Sequence, residues 1–295
     1  MSIFVASIGF GLVTASIVAL AAVGFTMQFA VTKIINLAYG DVMTASAFIA
    51  YICNSAGVNI WLCLAVGALF GGVASVTLNR LIYRPFARHG ANLLTLIIVT
   101  LAVALIIQNV VQAIWGPNFF SYTMSVGRSV NLGDMTFTLS QLGIIAVSVA
   151  AMFGIHLLLA YTRLGKAMRA TAANAALARS CGIRTERIID LAWLISGALC
   201  GASGVILVMN TTSFTATTGA NFLLIIAAAA IVGGVGRPYG AMIGAVVIGL
   251  GTEVSAVFVS PSYKDVVAFV ILVLVLLFRP QGVIPGASSA QGAAA

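Results

Sequence analysis

Long apolar runs constrain this chain more than any other feature of its sequence. Leu93–Val111 and Leu142–Leu159 are continuous runs without alternation. About 20 apolar residues are enough to cross a bilayer as a helix. In hydrocarbon the backbone must satisfy its own hydrogen bonds, which leaves a helical bundle or a closed barrel. Because barrel strands alternate apolar and polar residues, these runs predict an all-α, polytopic transmembrane bundle.

The composition supports this class of protein. The chain is 61% hydrophobic and 7% charged, with a mean hydropathy of +1.15, whereas soluble proteins carry about 25% charged residues. The runs predict about eight or nine spans, some broken at glycines and some shorter than ~20 residues. Residues 1–282 form the predicted transmembrane domain, and 283–295 a flexible tail. The candidate spans are Ile8–Phe29, Leu37–Cys53, Ile60–Asn79, Leu93–Trp115, Gln141–Tyr161, Ile188–Met209, Asn221–Val235, Tyr239–Phe258 and Val266–Phe278.

The longest polar interruption is Tyr161–Asp190, which holds six basic and two acidic residues. If this loop is cytoplasmic, alternation of the spans places 12 of the 14 basic residues on that side, leaving Arg128 and Lys264 outside. Such a bias is what the positive-inside rule expects. We therefore expect the loop and the C-terminus in the cytoplasm and the N-terminus outside, unless Phe25–Gly40 is re-entrant. The net charge of +8 then reflects topology and does not indicate nucleic-acid binding.

The loop carries signals for local structure. Ala170–Arg179 is rich in alanine and favours a helix, Gly182 is placed to end that helix, and Thr185 is a predicted N-cap of the next span. These signals predict a compact knob that docks a soluble partner. The alternative is a basic loop that touches anionic lipid.

Two apolar runs are interrupted in similar ways, within Val31–Phe48 and Ile231–Gly249. Each interruption is a glycine-containing polar turn with a basic residue. Paired interruptions in the two halves of a chain are typical of a translocation path built from broken helices. Two tight turns between helices are the alternative. The predicted path residues are Asn36, Tyr39, Gly40, Asp41, Gly233, Gly234, Gly236 and Gly240.

Charged groups within spans are few. Asp41 follows Gly40 at the start of a short apolar run, where the helix dipole favours a carboxylate; it is a structural acid or, alternatively, a gate or substrate contact. Glu253 lies in the outer half of its span, where an acid is often functional; a partner such as Lys264, or proximity to the interface, is the alternative. The loop Gly116–Ser140 is either a small cap or an ordinary connector.

The sequence indicates no enzyme. It contains no G-x-x-x-x-G-K-[ST] motif for ATP, no H-E-x-x-H motif, and no cysteine spacing for a metal. Gly201–Gly204 has the G-x-S-G form of intramembrane serine proteases, but no histidine is predicted near Ser203. The run of Gly197, Gly201 and Gly204 favours close helix packing instead. We expect no catalytic residue, metal or cofactor in this chain.

Several motifs resemble one family. Residues 176–182, ALARSCG, are similar to the E-A-A-x-x-x-G coupling signature of ABC-importer permeases, with Ala176 in place of the glutamate. The longer stretch RLGKAMRATAANAALARSCGI resembles the same loop in LivH-type branched-chain amino acid permeases. GFTMQFAVTKIINLAYGDVM, Tyr83-Arg84-Pro85, GGVGRPYGAMIGAVVIG and the ending LFRPQG extend the resemblance from about Gly9 to Gly282.

The resemblance implies a type II-like ABC-importer permease in a bacterial inner membrane. Its implied partners are a LivM-like permease, two cytoplasmic ATPases that bind ATP and Mg, and a periplasmic binding protein. Its implied substrates are amino acids, branched-chain ones first, with urea, amides or aromatic carboxylates as alternatives; an ATP-independent carrier is the alternative outside the family. The residues implied to couple to the ATPase are Ala173, Ala176, Leu177, Ala178, Arg179, Gly182 and Arg184.

Overall fold

The computed structural model describes residues 2–123, 129–132, 135–260, 263–279 and 282–283. The predicted tail therefore lies outside the described residues, except for Val283. The chain is helical, with a single two-stranded hairpin among the described residues. The elements are α1 Ser2–Thr32, α2 Tyr39–Ser55, α3 Ile60–Leu78, a π-helical segment Asn79–Tyr83, α4 Arg84–Arg88, α5 Leu93–Trp115, β1 Ser129–Leu132, β2 Met135–Thr138, α6 Leu139–Tyr161, α7 Arg163–Ala173, α8 Ala175–Ser180, α9 Thr185–Thr211, α10 Thr218–Gly233, α11 Pro238–Ser255 and α12 Lys264–Phe278.

Each predicted apolar run overlaps one helix, but the helices differ in their ability to cross a membrane. Within the described residues five are long and apolar enough, and α10 with α11, bent by 118°, forms a sixth candidate. α2 has 17 residues and α12 has 15, below the ~20 needed for an unaided crossing. The structure therefore supports a multi-pass helical protein with five or six membrane-capable units, and the predicted count of eight or nine spans is not confirmed.

Two helices form the centre of the bundle. In α1 and α9, 72% of the apolar window is buried, against 28% in α5 and 22% in α6. α1 packs along α11, and α9 packs along α3. The peripheral helices present apolar side chains outwards, as a lipid-facing surface requires.

Glycines bring α3 and α9 into backbone contact. A Cβ added to Gly197 would overlap the carbonyl oxygen of Gly71, and one added to Gly201 would overlap that of Gly67. Small residues at such crossings let helices in a membrane pack closely. The predicted packing role of this glycine run is confirmed.

Ser203 takes part in that packing. It is fully buried, and its hydroxyl donates to the Cys200 carbonyl at 2.7 Å. The histidines have other partners: His156 Nδ1 lies 2.9 Å from the Tyr239 hydroxyl, and His89 Nδ1 lies 2.7 Å from the Pro85 carbonyl. The geometry of Ser203 is thus that of a packing residue.

The described parts of the Gly116–Ser140 loop, residues 116–123, 129–132 and 135–140, lie against the bundle as a small cap. β1 and β2 pair antiparallel, with Ser129 opposite Thr138, and this hairpin departs from the all-α expectation. The Tyr122 hydroxyl donates to the Ala47 carbonyl at 2.9 Å, and Phe120 forms a backbone bridge with Phe214. These contacts with α2 and with the segment before α10 favour the cap over a simple connector.

The predicted pairing of Glu253 is confirmed. Lys264 Nζ donates to its carboxylate at 2.7 Å, and the Thr14 hydroxyl donates to the other oxygen at 3.0 Å. A partly buried carboxylate gains from such partners, so Glu253 holds α1, α11 and the start of α12 together.

Candidate functional site

The basic loop folds as two short helices. α7 ends and α8 begins at Asn174, whose backbone is extended (φ −154°, ψ 103°). The Asn174 side chain accepts a hydrogen bond from Leu177 N at 3.0 Å. Asparagine favours such N-caps because its side chain replaces the missing backbone partner. The prediction of one continuous helix over Ala170–Arg179 was therefore wrong, because the helix breaks at Asn174.

Gly182 ends α8 as predicted, with φ +82°. Gly182 N donates to the Arg179 carbonyl and Ile183 N to the Ala178 carbonyl, both at 3.0 Å, which is the Schellman arrangement. The predicted N-cap at Thr185 was wrong. Thr185 is the first residue of α9, and the N-cap position falls on Arg184, whose carbonyl accepts from Ile188 N at 3.2 Å.

α8 presents one large apolar side chain to solvent. Leu177 is 62% exposed, whereas its neighbour Ala178 is 5% exposed. Ala178 therefore supports the knob from inside, whereas the other predicted coupling residues lie on its surface. The exposed ones are Ala173, Ala176, Leu177, Arg179, Gly182 and Arg184.

A row of arginines binds the start of α9. Glu186 pairs with Arg84 and Arg88, and Asp190 pairs with Arg80 at 2.9 Å. Sequence reasoning missed this network. The sequence did contain a signal for this network. The three arginines recur at intervals of four residues, and so do the two acids, which places each set on one helix face.

The network reaches the π-helical segment. Asn79, its first residue, is buried and donates to Asp190 at 3.1 Å. Tyr83, its last residue, is fully buried and donates to Asn36 at 3.2 Å. Through these two hydrogen bonds the π-helical segment links the start of α9 to the bundle interior. π-helical turns also occur frequently at functional sites.

Replacing Asp190 tests which of these contacts holds the link. We expect Asp190→Ala to lower the free energy of unfolding by about 2 kcal/mol, because it leaves the buried Asn79 amide unpaired. Asp190→Asn keeps an acceptor for Asn79 and loses only the ion pair with exposed Arg80, so it should cost less. Thermal unfolding of the purified protein in detergent measures both. Equal losses would show that the ion pair dominates.

The first interruption carries the chain back into the bundle. After Lys33 (φ 58°) the backbone is non-helical up to α2. The Tyr39 hydroxyl donates to the Ala21 carbonyl at 3.0 Å and lies 3.4 Å from the Ser196 carbonyl. Ala21 lies about 16 Å before the end of α1 at 1.5 Å per residue. α2 therefore begins inside the bundle, as expected for a re-entrant segment.

The starts of α2 and α10 meet in the interior. A Cβ on Gly40 would overlap the Gly219 carbonyl, and one on Gly219 would overlap that of Gly40. Gly219 N also donates to the Thr44 hydroxyl at 2.8 Å. Two short helices thus cross through glycines, a contact that any larger side chain would separate.

Polar side chains surround the segment between α1 and α2. The Asn36 side-chain oxygen accepts a hydrogen bond from the Tyr83 hydroxyl. The Asn36 side-chain nitrogen donates to the Gln28 side-chain oxygen at 3.5 Å. Asn36 is 2% exposed and Asp41, in the first turn of α2, is 3% exposed. Asn36 thus bonds to both α1 and the π-helical segment.

The second interruption is a turn of positive-φ glycines, Gly234 at 104° and Gly236 at 86°. Gly233 and Gly240 flank it, and each lies against the backbone of the other. A Cβ on Gly236 would lie 3.9 Å from Ala30 Cα, in the last turns of α1. The structure therefore brings the second interruption against the helix that leads into the first.

The basic loop adjoins both interruptions. A cavity of about 350 Å³ lies between α7, the last turns of α1 and Gly236–Gly240. A second, of about 290 Å³, lies between α8, the start of α9, the π-helical segment with α4, and residues 31–34. α7 thus faces the second interruption and α8 faces the first.

Five or six membrane-capable units, with short helices that meet in the interior and a basic, capped loop at one end, define this chain as a polytopic membrane permease. The chain belongs to the family described as branched-chain amino acid transport system / permease component, whose model matches residues 7–276.

Named relatives agree with the family model. The chain is 31% identical, over 93% of both chains, to the high-affinity branched-chain amino acid transport system permease protein LivH of Escherichia coli. It is equally identical, with the same coverage, to the corresponding protein BraD of Pseudomonas aeruginosa. It is 27% identical over 92% of its length to a probable LivH of Methanocaldococcus jannaschii, covering 90% of that chain. A solved structure, PsaBC from Streptococcus pneumoniae in complex with Fab, aligns over 90% of each chain with 13% identity and a TM-score of 0.47, too loose a likeness to argue from.

Proposed function

We propose that this chain is one permease subunit of an ABC importer for branched-chain amino acids. The observation that carries the proposal is the position of the α7–α8 loop, which adjoins both interruptions through the two cavities. A soluble subunit bound to this loop can move both broken regions at once. The names of the relatives supply the substrate class.

In this proposal the exposed face of α8, with Leu177 and Arg179, inserts into a cytoplasmic ATPase. Gly182 then forms the turn that leads the chain from α8 into α9. Force passes from Glu186 and Asp190 through the arginine row to the π-helical segment. Tyr83 then carries it to Asn36, at the start of α2. Asn36, Tyr39, Gly40 and Asp41 line one side of the path, and the second interruption gates it on the other.

The remaining subunits follow from the same proposal. A second, LivM-like permease completes the path, two ATPases bind ATP and Mg, and a periplasmic binding protein delivers the amino acid. We place the loop and the C-terminus in the cytoplasm of a bacterial inner membrane. The arginine row and α7–α8 lie at one end of the bundle, as the positive-inside rule requires.

Co-purification tests the assembly. The chain, tagged and expressed with its neighbouring transport proteins, should retain two ATPases and a second permease, and the complex should take up leucine only with ATP and binding protein. Leucine uptake by the chain alone in liposomes under an ion gradient would contradict the proposal and establish a secondary carrier.

A further inference from the structure

Unpaired polar atoms gather near the start of α2. Among the described residues, the buried side-chain atoms without a hydrogen-bond partner include Gln28 Nε2, Asp41 Oδ1 and Trp193 Nε1. All three side chains are at most 3% exposed. Buried polar groups in proteins are nearly always paired, and pairing matters most where lipid excludes water.

Contacts through Asn36 and Tyr83 link Gln28 to Trp193, and the first turn of α2 lies beside them. Gln28 contacts Asn36, and Asn36 accepts from Tyr83. The ring of Tyr83 lies 5.2 Å from that of Trp193. Asp41 lies in the first turn of α2, three residues after Ala38, whose N–H donates to Asn36 Oδ1 at 3.1 Å. α1, α2, the π-helical segment and α9 thus each contribute one or more members.

The chemistry of the unpaired atoms is complementary. Trp193 Nε1 and Gln28 Nε2 are hydrogen-bond donors, and Asp41 Oδ1 is an acceptor that carries charge when the acid is ionised. None of the ion pairs among the described residues involves Asp41. The cluster therefore offers N–H donors and one carboxylate without a protein cation.

We propose that Gln28, Asp41 and Trp193 bind the zwitterionic head of the transported amino acid when the path opens. Asp41 accepts from the ammonium group, and the two N–H donors hold the carboxylate. Asn36 and Tyr83 position the cluster through their mutual hydrogen bond. This inference rests on the proposed transport of amino acids. The closed bundle leaves these atoms unpaired, and the substrate pairs them in the open state.

The test uses the complete importer in liposomes, with leucine uptake, ATPase activity and thermal unfolding as readouts. Asp41→Asn keeps the size of the side chain but removes its charge. We expect leucine uptake to fall at least about tenfold. The unfolding temperature should stay the same or rise, because an unpaired buried carboxylate has been removed. A merely structural acid would instead lower that temperature when replaced.

Two further variants make the result decisive. Trp193→Phe keeps the ring against Tyr83 and deletes only the N–H, so uptake should fall several-fold. Glu253→Gln, the matched control, alters the carboxylate already paired with Lys264 and should leave uptake near wild type. Unchanged uptake in both Asp41→Asn and Trp193→Phe would overturn the inference and assign the unpaired atoms to internal water. Wild-type importer that takes up no branched-chain amino acid would instead overturn the proposed function.

Discussion

Replacing Gly201 with leucine is expected to prevent formation of a stable bundle. The added Cβ would overlap the carbonyl oxygen of Gly67 and lie 3.0 Å from its carbonyl carbon. The clash is with backbone, which cannot rotate away as a side chain can. Overpacking of this kind costs about 3 kcal/mol or more, and it separates α9 from α3 along their whole contact. The purified yield and the unfolding temperature in detergent should both collapse.

Gly154→Leu is the matched control. Gly154 lies within α6, and a Cβ added there meets nothing within 4 Å. The same substitution at that site adds an apolar side chain to an open surface, so stability should stay near wild type. Equal losses at both positions would show that leucine acts through helix propensity or insertion, and that the α3–α9 crossing is not critical.

Replacing Gly182 with valine is expected to uncouple ATP hydrolysis from transport. Gly182 has φ +82° and open space around it, so the cost is backbone strain of about 1–2 kcal/mol. That strain disturbs the Schellman turn that sets the direction of α8 relative to α9. We expect the chain to insert and fold, but ATPase activity stimulated by loaded binding protein should be lost in the assembled importer.

Gly57→Val separates coupling from general strain. Gly57 has the same φ of +82° and the same open surroundings, but it lies in the turn between α2 and α3. Both variants should lower the unfolding temperature by a similar amount, and Gly57→Val should keep stimulated ATPase activity. Loss of stimulation in both would remove the special role of the α8 turn, as would normal stimulation in Gly182→Val.

Local patterns in the sequence predicted the helices and several of their ends. Apolar runs correspond to helices because burial in lipid and internal hydrogen bonding depend on neighbouring residues along the chain. Gly182 was predictable as a helix stop for a similarly local reason, since only glycine adopts positive φ without strain. Asn174 carried an equally local N-cap signal, but the alanine-rich context on both sides outweighed it.

The length of each helix did not decide its depth in the bundle. α2 reads as a short span in the sequence, yet it begins beside Ala21 and ends near Asn54, which holds Thr123 of the cap. Its starting level depends on the path of the chain after Lys33. That path is set by contacts with α9, such as the hydrogen bond from the Cys200 thiol to the Tyr39 carbonyl. These two residues are far apart in sequence, so no local pattern indicates the contact.

By itself, the sequence determined that this is a helical membrane protein with a basic, glycine-terminated loop and two interrupted helices. The resemblance in that loop agrees with the family to which the chain belongs. Only the tertiary structure brought the loop against both interruptions and gathered Gln28, Asp41 and Trp193 around the start of α2. The physical reason is separation along the chain. Asn79 and Asp190 stand 111 residues apart, and only the packing of α3 against α9 makes them partners.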